Sequence, residues 1–256
     1  MNQSEHATAR QSAEEYVRSA RRIVAFTGAG ISAESGIPTY RDAENSLWSK
    51  YEPDKLATID AFMSNSTLYW RFFQDVRYQA IKRARPNAAH LALAAMERAG
   101  RLQAVITQNI DGLHQAAGSR EVIELHGNTR TIRCLACQAE YGMDEIFEQL
   151  KYELPPACLR CGGRLKPAVV FFGEELPGDA MERAAKLANA CDLLIAVGSS
   201  LVVYPAAAIP TAAKRNGARL IIVNRTATPY DDLADAVLRE SAGEVLPPLA
   251  RAAGIR

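Results

Sequence analysis

Four short apolar runs, each preceded by a stretch of helical spacing, constrain the fold of this 256-residue chain more than any other feature. Ile23 to Phe26 follows an amphipathic stretch at 11–22. "LQAVITQN" (102–109), "CDLLIAVG" (191–198) and "ARLIIVN" (218–224) follow "NAAHLALAAMERAG", "GDAMERAAKLANA" and "YPAAAIPTAAKRNG". Strands that are apolar at every position, and not merely at alternate ones, are covered on both faces. Alternation of such strands with helices predicts an α/β fold, a parallel sheet with helices on both faces.

Two excursions interrupt the alternation. Residues 39–87 are rich in aromatic residues and carry helical spacing ("TIDAFMSNSTLYWRFFQDVRYQAIKRA"), and 127–168 contain paired cysteines. With 48% hydrophobic residues the chain can bury one large core and one smaller one. The expected division places 1–38, 88–126 and 169–256 in the sheet domain. The helical module 39–87 and the cysteine module 127–168 together form the small domain.

Cys134-Leu-Ala-Cys137 and Cys158-Leu-Arg-Cys161 have the spacing of a zinc ribbon, and Gly162-Gly163 follows the second pair. Four thiolates fill a tetrahedral zinc sphere and leave no position for water, so one structural Zn2+ is expected. A nucleic-acid module is the other use of such a ribbon, but the intervening "QAEYGMDEIFEQLKYELPPA" is acidic, which opposes phosphate. Thirty Lys plus Arg against 29 Asp plus Glu leave a net charge of +1, with no overall field for polyanions. No apolar run reaches the roughly 18 residues of a membrane span, and the N-terminus lacks a signal-peptide apolar segment. A cytoplasmic monomer, without nucleic-acid or membrane partners, is the expectation.

Ligands of parallel sheets sit beyond the carboxyl ends of the strands. That rule selects Thr27 to Gly30, Gln108 to Asp111, Gly198 to Ser200 and Asn224. Gly28-Ala29-Gly30 opens like a dinucleotide fingerprint, yet Ala33 stands where the third glycine belongs, and "SLWSKYEPDKL" stands where a second strand would end in an acid. Taken alone, this is either a phosphate-binding turn or a tight strand-to-helix turn. Among the four histidines, His6 lies near the terminus, and His90 and His114 lie in or beside helices, where buried or capping roles prevail. His126, in the loop "ELHGN" between the two lobes, can serve as a general base near neutral pH.

"GAGISAESGIPTYR", "PNAAH", "TQNIDGLH", "ELHGN", both C-x-x-C pairs, "KPAVVFFGE", "VGSSL" and "VN" together resemble the sirtuin family, in its bacterial type, in order and spacing over most of the chain. The resemblance implies a Rossmann-like NAD-binding domain and an NAD-dependent protein lysine deacylase. Such an enzyme acts on acylated-lysine proteins or peptides and releases nicotinamide and O-acyl-ADP-ribose, with NAD as co-substrate. Gly28, Ala29, Gly30, Ser32, Tyr40 and Arg41 would line the cofactor, with Tyr40 in place of the family's usual Phe. Gln108, Asn109 and Asp111 would hold the nicotinamide ribose and carboxamide, with Asn109 and His126 catalytic and His126 deprotonating the ribose diol. Gly198, Ser199, Ser200 and Asn224 would contact the adenosine half. Val170, Phe171, Phe172 and Gly173, with the segment near Leu201 to Tyr204, would clasp the substrate peptide as an added strand. Cys134, Cys137, Cys158 and Cys161 would hold the zinc.

Ala33 is similar to the subclass that removes succinyl or malonyl groups, but the Tyr-x-x-Arg pair of that subclass is absent. Counted from Trp70, its positions hold Phe73 and Val76. Arg77 is one residue off, a rotation of about 100° on an α-helix, so it is expected to point elsewhere. An unpaired carboxylate in an apolar pocket is costly. Acetyl or longer uncharged acyl groups are therefore favoured. Alternative uses of the same site are desuccinylation, demalonylation and protein mono-ADP-ribosylation.

Overall fold

The computed structural model describes residues 3–38 and 56–255, with side chains from residue 7 onward. In chain order the strands are β1 Ile23–Thr27, β2 Leu102–Thr107, β3 Val122–Glu124, β4 Gly127–Cys134, β5 Glu140–Gly142, β6 Leu165–Val169, β7 Leu193–Val197, β8 Arg219–Val223 and β9 Ala236–Leu238. Six of them form one sheet in the order β3-β2-β1-β7-β8-β9. Every neighbouring pair is parallel. The order runs outward from β1 to one side, then restarts at β7 and runs to the other, which is the doubly wound arrangement with its switch point between β1 and β7.

The four apolar runs occupy the four central strands, and their side chains alternate between two cores. Ile23, Ala25, Leu193, Ile195 and Val197 join a cluster with helices Gln3–Ser19, Ala88–Arg98 and Ala242–Ala252. Val24, Phe26, Leu194 and Ala196 face helices Gly178–Ala190 and Ala208–Arg215. Both faces are therefore covered, as continuous apolarity predicts. At about 1.5–3 kcal/mol per large side chain buried, these two clusters supply the main drive for folding. The edge strands β3 and β9 are three residues each, too short to show a period. The last helix carries a signal that its sequence displays: Ser241 and Glu244 form a capping box.

The second sheet is antiparallel, β5-β4-β6. One apolar cluster unites it with the helical insertion. Phe62, Tyr69, Trp70 and Phe73 pack with Ile132, Met143, Ile146 and Leu165, and with Phe171 from the loop after β6.

At the switch point the turns after β1 and β7 nearly touch. Gly28 N–H donates to Val197 O at 3.0 Å and Gly30 N–H to Gly198 O at 2.8 Å. A Cβ on Gly30 would lie 2.7 Å from Gly198 Cα, and Gly198 itself has φ +63°. Only glycine permits this approach. Gly30→Ala is expected to lower the unfolding free energy by about 1–3 kcal/mol, through forced separation of packed backbone. Urea unfolding measures it, with Gly178→Ala, whose added Cβ meets nothing within 4 Å, as the unaffected control.

Candidate functional site

The crevice beyond β1 and β7 gathers the residues that the sequence selects, and it adds others. The N–H groups of Gly28 and Gly30 are spent on the β7 turn, so of the three turn residues only Ala29 keeps a free N–H among the described residues. The glycines thus serve close approach, while the turn itself runs straight into the short helix Ala29–Ser35. Tyr40 and Arg41 lie outside the described residues.

Ser32, fully buried, joins two of the expected site residues: its hydroxyl donates to Asp111 Oδ2 at 2.7 Å and accepts from Asn109 Nδ2 at 3.0 Å. Asp111 Oδ1 accepts from Leu113 N–H at 2.9 Å, which fixes the carboxylate at the start of the next helix. Beneath this row lies a polar layer whose connections the sequence does not display. His114 Nε2 is 2.9 Å from Thr27 Oγ1, Thr27 donates to Thr107 Oγ1 at 2.8 Å, and Thr107 Oγ1 accepts the Asn109 N–H at 3.0 Å. His90 lies 3.5 Å from the Ser32 hydroxyl, and its ring centroid is 4.8 Å from that of His114. Asn87 caps the helix that carries His90 and donates to Ile31 O at 2.7 Å, which pins the β1 turn from behind. Burial pushes His114 down to about 3, helped by neighbouring His90, and burial likewise lowers His90 against the opposing pull of Asp111. Both rings are therefore neutral at pH 7. Their expected buried and capping roles hold, but the row above them depends on them.

His126 follows β3. Its Nδ1 is 3.0 Å from the Gln108 carbonyl, which can only accept, so Nδ1 carries the proton and Nε2 presents a lone pair. Desolvation lowers its pKa and the Gln108 carbonyl raises it, with desolvation the larger. The imidazole is a base at neutral pH. Gln108 Nε2 donates to Ser199 Oγ at 2.8 Å, so the β2 and β7 ends are linked across β1. The side-chain carbonyls of Gln108 and Asn109 take no partner among the described residues, which leaves two acceptors open at this sheet edge. Asn224, at the end of β8, turns its amide to Thr226 O at 2.9 Å.

The chain 170–173 does not present itself uniformly. Phe171 is buried and stacks on Phe62 at 5.2 Å, whereas Phe172 is 52% exposed. Val202 and Tyr204, 40% and 62% exposed, are the other large apolar side chains of the expected peptide segments that face solvent.

The Sir2 family pattern matches residues 28–205. This chain belongs to the Sir2 family. It is 48% identical over 231 residues to NAD-dependent protein deacylase 2 of Pyrobaculum aerophilum, with 90% of each chain covered. It is 46% identical over 247 residues to an NAD-dependent protein deacylase of Pseudomonas putida, covering 95% of this chain and 94% of the relative. A Sir2 structure with a deacetylated p53 peptide and 3′-O-acetyl ADP-ribose superposes with a TM-score of 0.90 at 39% identity, over 96% of this chain and 99% of the other.

This Sir2-family chain also assembles its four paired cysteines. Their sulfurs all lie within 4.8 Å of one another, with Cys134–Cys161 and Cys137–Cys158 at 3.6 Å. Zinc–sulfur bonds of about 2.3 Å in a tetrahedron require sulfurs about 3.8 Å apart, so the cluster fits zinc. Gly163 is needed there, since a Cβ would lie 3.1 Å from two of the sulfurs. The Tyr141 hydroxyl sits 3.0 Å from Cys158 Sγ.

The expectation for Arg77 assumed an unbroken α-helix, and that assumption fails. Phe73–Arg77 is a π-helical turn, which widens the helix and resets the register after it. The Arg77 guanidinium lies 5.4 Å from the Phe72 ring centroid and 6.0 Å from that of Tyr69. Tyr69 in turn packs edge-on against Phe171 at 5.2 Å. Phe73 is fully buried in the small-lobe core.

Metal analysis of the purified protein is expected to give one zinc per chain. Stripping it with a chelator and a thiol reagent should unfold the β4–β6 module by circular dichroism, because the metal's binding energy is that module's folding energy. Cys158→Ser should lose the metal without any chelator.

Proposed function

We propose that this chain is an NAD-dependent protein lysine deacylase that favours acetyl-lysine and yields nicotinamide and O-acetyl-ADP-ribose. The observation that carries it is His126, with Nε2 free for a proton, at the same sheet edge as the Ser32–Asn109–Asp111 row. Relatives named as deacylases and a neighbour holding an acetyl-ADP-ribose support the reaction class.

In this reading NAD supplies an activated C1′–nicotinamide bond whose cleavage leaves positive charge on the ribose. Ala29, Gly30 and Ser32, with Gly28 for close approach, line the pyrophosphate side. Gln108, Asn109 and Asp111 hold the nicotinamide ribose and carboxamide, and Gly198, Ser199, Ser200 and Asn224 take the adenosine half. Oriented amides and a carboxylate favour the developing charge without reorganising. His126 Nε2 takes the proton of a ribose hydroxyl. NAD is assigned to the sheet domain (1–38, 88–126, 169–256), with 39–87 and 127–168 as the small domain; the apolar clusters of the described residues support this division, except that Phe171 packs into the small-domain cluster.

A second reading, an acidic acyl group, draws on the guanidinium of Arg77, 6.0 Å from the centroid of Tyr69, whose ring packs on Phe171. Incubation with NAD and acetyl, succinyl, butyryl or myristoyl lysine peptides separates the two. Acetyl or longer uncharged acyls should turn over fastest, and preference for succinyl would establish the second reading.

His126→Ala should keep the fold and lose about 10²–10⁴-fold in O-acyl-ADP-ribose formation, the usual contribution of a positioned base. The base works unprotonated and its pKa is lowered, so wild-type activity should hold as pH falls to 6.5 and decline only below it. An acid limb above 6.5 would show that another group titrates.

A further inference from the structure

β6 contains one residue out of keeping with its neighbours. Lys166 is 8% exposed in a strand otherwise made of Leu, Pro, Ala and Val. Its ammonium donates to Val169 O at 2.7 Å, pairs with Glu174 Oε2 at 2.9 Å and lies 4.7 Å from the centroid of the Phe171 ring. Glu174 Oε2 also accepts the Phe171 N–H at 2.8 Å. Burial opposes the charge on Lys166, and Glu174 favours it. Buried ion pairs contribute little net stability, since desolvation offsets their attraction. An aliphatic side chain would serve the core as well, so the pair has another use.

That use is visible in what the pair encloses. The chain 170–173 loops between Lys166 and Glu174, and most of its backbone groups are already engaged. Val170 N–H donates to His126 O at 2.9 Å, Phe172 N–H to Ala57 O at 2.8 Å, Ile59 N–H to Phe172 O at 3.0 Å and Glu174 N–H to Phe171 O at 3.0 Å. The Val170 carbonyl and both backbone groups of Gly173 take no partner among the described residues. Gly173 has φ +92°, a conformation that turns its peptide units out of the local ladder. These unpaired groups are what an extended peptide needs for strand addition.

We propose that Lys166 and Glu174 are positioning residues for the acylated peptide. Their pair, buried at the Lys166 end and partly exposed at Glu174, locks the 170–173 loop so that the Val170 carbonyl and the Gly173 backbone face the incoming strand. This rests on the deacylase reading, in which that loop takes the peptide. Because Val170 is bonded to the His126 carbonyl, the same lock keeps the peptide in register with the base. Neither side chain touches the reacting atoms.

The test uses the full-length, zinc-loaded protein with Lys166→Met, Glu174→Gln and the double variant. Dissociation constants for a fluorescent acetyl-lysine peptide and for NAD are measured separately, alongside kcat and the thermal midpoint. Each single variant should weaken peptide binding about tenfold, the scale of one charge-assisted hydrogen bond, and leave the NAD constant within about twofold. The double variant should be no worse than the worse single, because the two residues act as one unit. Unchanged peptide affinity in both singles overturns the proposal. So does a parallel loss of peptide affinity, NAD affinity and thermal midpoint, which marks a merely structural pair. If Lys166→Met fails to fold, Glu174→Gln, at the more exposed end of the pair, decides by the same criteria. A wild type that binds the peptide but does not consume NAD sinks the deacylase reading and leaves the clasp to be judged on peptide binding alone.

Discussion

The close approach of the β1 and β7 turns sets the rest of the molecule. Parallel strands at a switch point diverge, and helices leaving them in opposite directions would open a wide gap. Here Gly30 N–H bonds to Gly198 O, and the turn after β1 is pressed against the turn after β7. The crevice is thereby narrowed from below, and its floor is backbone. Polar side chains that work there must enter from the sides: Gln108 and Asn109 from β2, Ser199 from β7, and Ser32 from the short helix after β1. The glycines first suggest phosphate contact, but their own N–H groups are used for this closure. Their lack of side chains matters more than their donors.

The buried layer under Asn109 gives that crevice its electrostatic sign. Two histidines 4.8 Å apart would bring positive charge beneath the site if protonated. Burial holds both neutral, so the Asp111 carboxylate and the amide carbonyls above them are not cancelled. In the proposed reaction positive charge develops on a ribose, and that bias favours it. The price is a pH limit. Unfolded histidine protonates near 6.5, whereas folded His114 resists until about 3, so the unfolded chain binds more protons in that window and stability declines as pH falls through it.

Much of the sheet was legible because its signal is collective. Continuous apolarity in the runs of β1, β2, β7 and β8 demands two covered faces, and two covered faces demand helices on both sides. The zinc cluster was legible from spacing alone. What escaped was short or depended on partners distant in sequence. β3 and β9 are three residues each, and His114 meets Thr27 across 87 positions of sequence. The π turn escaped for another reason. Nothing in "FQDVR" departs from helical propensity, and the widening shows only in how the segment fits between a buried Trp70 and the helix that follows. A rotation of about 100° per residue therefore does not by itself fix where Arg77 lies, and its guanidinium rests over the Phe72 and Tyr69 rings.

The peptide loop explains why the two lobes can act together. Phe171 is anchored among the aromatic rings of the small-lobe core, while its neighbour Val170 is bonded to the backbone of His126. One residue of chain therefore separates an anchor in the small lobe from His126. A rearrangement of the small lobe cannot pass through this loop without moving either Val170 or the His126 backbone. Conversely, a peptide that pairs with Val170 and Gly173 bridges both anchors, and its binding free energy favours the arrangement in which base and loop are in register. In the proposed clasp, substrate binding and alignment with His126 are the same event, brought about by backbone hydrogen bonds that any extended peptide can supply.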